Sequence, residues 1–65
     1  MKYIIYLTPD FFEDDMTFFE FERLTNEEKI HVASNSNEAI IYTLEGFQEA
    51  FNAEEISDQG FIYIV

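Results

Sequence analysis

The chain has 65 residues, 14 Asp and Glu against 3 Lys and Arg, a net charge of −11, and no cysteine. That length predicts one domain over residues 1–65, near the lower size that folds without staples, and the lack of cysteine rules out a disulfide framework or a Cys-based zinc core. The charge argues against direct binding of nucleic acid, whose phosphates it would repel. A content of 48% hydrophobic and 18% aromatic residues is too high for a disordered acidic tail.

Lys2 to Thr8 read as a strand, β-branched and aromatic, stopped by Pro9. Almost every position is apolar, as in a central strand covered on both faces. The run is too short for a signal-peptide core or a membrane span, and with the lack of cysteine it points to the cytoplasm and away from membranes.

Residues 17–24 predict a second strand, with Phe19 and Phe21 on one face and Phe18, Glu20 and Glu22 on the other. A helix over residues 10–23, with Asp10 as N-cap and Phe12, Met16 and Phe19 along one stripe, is the competing reading. Thr25 to Glu28 read as a polar connection. Residues 29–33 alternate, Ile30 and Val32 inward and His31 outward, and predict a hairpin with the second strand. Ser34 to Asn37 form a turn by composition.

Residues 39–42 predict a short strand or lead-in. Thr43 suits an N-cap, and Glu45 sits where the helix dipole favours an anion. Leu44, Phe47, Ala50 and Phe51 recur at helical spacing to about residue 55. Ser57 to Gly60 read as a turn and residues 61–65 as a final strand. The fold class expected is α+β: a small antiparallel or mixed sheet of three to four strands with one helix packed on a face.

No cofactor, metal site or catalytic group is expected, and the chain is not read as an enzyme. His31 stands alone, without a cysteine partner. Ser34, Ser36 and Ser57 lack a glycine-flanked nucleophile elbow. The cluster Asp10, Glu13, Asp14 and Asp15 lacks the glycine of a calcium-binding EF-hand loop. Gly46 and Gly60 stand apart and make no phosphate loop.

The charge is larger than the roughly 2–8 that serves solubility in a small domain. Asp10, Glu13, Asp14, Asp15, Glu20, Glu22, Glu45 and Glu49 are therefore the candidate acidic interaction surface. They point to a protein partner, a basic one, and in the sharpest form to carboxylates that imitate nucleic-acid phosphates. In size and charge, though in no motif, the chain resembles small phage and plasmid inhibitors of DNA-processing enzymes. The alternative is a self-associating homodimer whose acidity serves only solubility. Twelve aromatics exceed what a one-sided core of this size can hold, so an exposed patch is expected, with Phe18, Phe61 and Tyr63 as candidate self-association residues. Clustering of the acids on one face would favour mimicry; spreading around the rim would favour solubility.

Overall fold

A computed structural model describes residues 2–65. Three strands form one antiparallel sheet in the order β2-β1-β3, with β1 at Tyr3–Leu7, β2 at Ala39–Thr43 and β3 at Phe61–Ile64. Four helices are described: α1 (Phe11–Asp14), α2 (Phe18–Glu22), α3 (Asn26–Ser34) and α4 (Leu44–Asn52). The α+β class and three-stranded sheet are as expected from the sequence. None of the helices is long and apolar enough to cross a membrane.

β1 is central, and Ile4 to Leu7 are all buried. Its two sets of alternating side chains serve two different layers. Ile5 pairs with Ile41 and Tyr63, and Leu7 with Ala39 and Phe61. This face carries the core of Ile5, Leu7, Phe11, Phe21 and Ala33, closed by side chains from α1, α2 and α3. Ile4 pairs with Tyr42 and Ile64, and Tyr6 with Ile40 and Ile62, on the other face. There, among the described helices, α4 alone covers the sheet, joined by the turn of residues 57–60 against Tyr6. The helix packs on β2 and β1, with the Phe47 ring 5.8 Å from that of Tyr42.

Within residues 17–24 and 29–33 the chain forms α2 (Phe18–Glu22) and part of α3 (Asn26–Ser34), so the expected second and third strands and their hairpin do not form. The reason is local. Thr17 and Thr25 both have extended backbones and cap helices. Each hydroxyl accepts the N–H of the residue three positions on, and that residue, Glu20 or Glu28, accepts the threonine's own N–H in return. Two reciprocal Thr-x-x-Glu boxes satisfy the N–H groups that open a helix, and they outweigh the β propensity of the phenylalanines. The continuous helix over residues 10–23 does not form either. Thr17 breaks it into α1 and α2, and Asp10 stands at the α1 N-cap position without a side-chain bond. Four helices therefore replace the single one expected.

The Thr43 cap is present, its hydroxyl accepting from the Gly46 N–H. At the other end of α4, Glu54 takes a left-handed φ of 59°. Its N–H bonds the Phe51 carbonyl, and the Glu55 N–H bonds that of Ala50. These are the two bonds of a Schellman motif, with a glutamate where glycine is usual. The chain then returns to the sheet through Gly60, which lies against the Tyr6 ring. A Cβ there would overlap that ring, and the Tyr6 hydroxyl donates to the Ser57 carbonyl at 3.1 Å.

Candidate interaction surface

An unbroken series of ring contacts runs from the core to the surface. Phe11 and Phe21, fully buried, meet edge to face at 5.4 Å. Phe12 touches Phe11, Phe18 and Phe61 at 5.2, 5.5 and 4.9 Å. Phe18 touches Phe19 at 6.0 Å. Phe19 is 76% exposed, the most exposed large apolar side chain among the described residues. On the five-residue helix α2, Phe21 must point inward, and Phe19, two positions earlier, is carried to the opposite side. The helical stripe of Phe12, Met16 and Phe19 is thus overturned at Phe19. Phe18 and Phe61 share one patch, joined through Phe12.

Tyr63 sits differently. It is half-buried, its ring 5.0 Å from Phe21, and its hydroxyl donates to Glu22 Oε1 at 2.6 Å. Burial first, and then the Glu22 carboxylate, push the phenol pKa well above its usual value. Lys29 Nζ lies 5.7 and 5.8 Å from the centroids of the Phe21 and Tyr63 rings and donates to the Leu24 carbonyl at 2.9 Å. One of the three cations is thereby held within the fold.

The eight candidate acids are all exposed, but the sheet divides them. Asp10, Glu13, Asp14, Asp15, Glu20 and Glu22 lie on or beside α1 and α2, over the closed face. Glu45 and Glu49 lie on α4, over the opposite face. Several carboxylates also serve the fold. Asp15 accepts from the Ser36 hydroxyl, Glu20 completes the Thr17 box, and Glu22 holds Tyr63. Glu28 accepts the Thr25 backbone N–H, and that bond first, then the Thr25 side chain, lowers its pKa. Glu38 accepts from the Thr8 hydroxyl.

His31 is on α3 and lines a shallow surface groove with Leu24, Glu27, Glu28 and Val32. Among the described residues, no group of three or more His, Asp or Glu is placed to hold a metal ion. The residues that sequence reasoning passed over are Phe19, Phe51, Ile62 and Ile64, all more than half exposed. Ile62 and Ile64 have the opposite parity to Phe61 and Tyr63 on β3, so they face the side that α4 leaves partly bare. The sequence signal was present, since strand alternation separates these pairs, but it does not say which set is covered.

No protein-family model matches the chain, and neither the curated proteins nor the solved structures contain a match to it.

Proposed function

We propose that the chain is an acidic protein-binding module that docks on a basic surface of a partner protein, in the cytoplasm, without chemistry of its own. Phe19 carries this reading. A capped helix, anchored in the core through Phe21, presents that ring to solvent beside Phe18 and between carboxylates. An aromatic centre with a charged rim is the usual anatomy of a protein interface. The net charge of −11 selects a basic partner and speeds encounter with it. The acids of α1 and α2 form the rim; Glu45 and Glu49, on the far side of the sheet, fall outside it. Imitation of nucleic acid is the narrower form of this proposal; the division of the acids between two faces counts against it, and its mark is competition with DNA or RNA for the same partner.

The experiment is capture from the host lysate across a ladder of salt, with wild type, Phe19→Ala and Glu20→Gln. Glutamine can still close the Thr17 box, so Glu20→Gln removes charge and keeps the helix. One basic protein held by wild type, released by salt and lost with Phe19→Ala at unchanged melting temperature supports the reading. Capture that is identical for wild type and Phe19→Ala overturns it. A homodimer through β3 is the second reading, favoured by the uncharged edge of Phe61 to Val65 and tested by sedimentation across protein concentration.

A further inference from the structure

The outer edge of β3 has open backbone groups and an unequal pair of faces. Among the described residues, β3 pairs only with β1. Tyr3 and Val65 exchange both backbone bonds, at 3.0 and 2.9 Å, which fixes the alternation along the ladder. Tyr63 and Phe61 therefore bond inward to β1, and the N–H and C=O of Ile62 and Ile64 point out of the sheet. Residues 61–65 contain no Lys, no Pro and no charge, the devices that normally blunt an edge.

Each face beside this edge has its own chemistry. On one side Ile62 and Ile64 are 54% and 64% exposed. Ile62 also lines a mainly apolar hollow of about 190 Å³ with Phe47, Phe51 and Ile56, and with Ser57 and Asp58. On the other side is Tyr63, whose hydroxyl holds the Glu22 carboxylate at its tip. A residue placed opposite Tyr63 on an added strand would occupy a close, non-hydrogen-bonded position on that same face. A long cationic side chain there would reach toward the Glu22 carboxylate, with the Lys29 ammonium already 5.8 Å from the Tyr63 ring centroid.

We propose that this edge takes an extended segment of the basic partner as a further strand, with apolar residues opposite Ile62 and Ile64 and Lys or Arg opposite Tyr63. The inference rests on the protein-binding reading and adds the form of the ligand. Backbone bonds supply affinity, and the alternation of apolar and basic side chains supplies specificity. A second copy is the poorer occupant. Its own β3 offers no cation to Glu22, and pairing brings together two chains of charge −11.

The test is titration of a synthetic peptide alternating valine and arginine into the whole chain, followed by backbone amide NMR and hydrogen exchange. The expected result is protection of the Ile62 and Ile64 amides, with binding weakened at least tenfold for a valine–glutamate peptide. Ile64→Pro removes an outward N–H and spares the β1 ladder, so it should abolish binding at a retained melting temperature. If that variant does not fold, Ile64→Lys, which sets a cation against the apolar side, should weaken binding instead. Glu22→Gln should erase the preference for arginine over glutamine opposite Tyr63.

Peptide-induced shifts confined to Phe18 and Phe19, with Ile62 and Ile64 still exchanging freely, would overturn strand addition and leave the acidic docking surface standing. A dimer in sedimentation that Ile64→Pro dissociates would give the edge to a second copy and overturn it too, as would absence of peptide binding. Edge protection by the peptide combined with lysate capture indifferent to Phe19→Ala would support the edge and remove the aromatic ridge from the function.

Discussion

The two faces of the sheet are built from the same kinds of residue and end in different states. On the closed face, three helices bring Phe11, Phe21 and Ala33 onto Ile5 and Leu7, and all five are buried. On the open face, one helix and the turn of residues 57–60 cover Ile4 and Tyr6 and leave Phe51, Ile62 and Ile64 more than half exposed. Hydrophobicity along a strand therefore specifies how much apolar surface exists. It does not specify how much the chain's own helices can cover. A 65-residue chain has material for one complete layer and part of another, and the uncovered part is where a partner gains most.

Matched truncations on the two faces give the largest test of this contrast. Phe21→Ala should cost about 3–5 kcal/mol. That compares with a total stability of about 3–10 kcal/mol for a chain of this size. Phe51→Ala should cost less than about 1 kcal/mol, because its ring loses little burial. Urea denaturation of both variants measures the gap, and equal costs would mean that the open face is covered in solution.

Gly60→Ala comes next. Its methyl group overlaps the Tyr6 ring, itself buried and tied to Ser57, so the approach of β3 must shift. Overpacking of this kind costs about 1–3 kcal/mol. A melting curve reads it, and Tyr6→Phe, which frees the ring from the Ser57 carbonyl, should soften the penalty in the double variant.

Glu54→Gly acts in the opposite direction. It relieves a left-handed φ and removes an anion from the C-terminal end of α4. Stabilisation of about 1 kcal/mol is expected from the backbone contribution. No change in melting temperature would show that the helix end is not held in this conformation in solution.

The smallest effect is one of pH at the start of α3. Bonds from Thr25 lower the Glu28 pKa below its ordinary 4.5. A carboxylate with a lowered folded pKa stabilises the fold above its unfolded pKa and loses that contribution as pH falls through the folded value. Glu28→Gln keeps the box and removes the titration. Its melting temperature should consequently decline less than that of wild type between neutral pH and the acid range, and parallel declines would mean that the Thr25–Glu28 bond is absent in solution.

Much of this architecture was legible residue by residue. The apolar run Ile4 to Leu7 marked the central strand because a strand covered on both faces shows no alternation. Thr43 with the Leu44, Phe47, Ala50 and Phe51 spacing marked α4, and Gly60 with Phe61 to Val65 marked the return strand. The Thr17–Glu20 and Thr25–Glu28 spacings were equally present. In the chain they outweigh the phenylalanines, whose β preference reflects packing and not the backbone. Sequence by itself determined the charge, the aromatic excess and the central and return strands, since these follow from composition and local periodicity. Tertiary structure alone decided that Phe21 enters the core while Phe19 leaves it, that Glu22 meets Tyr63, and that the acids divide between two faces. Those outcomes depend on which helix lies over which side of the sheet, and that is set by contacts between segments far apart in the chain.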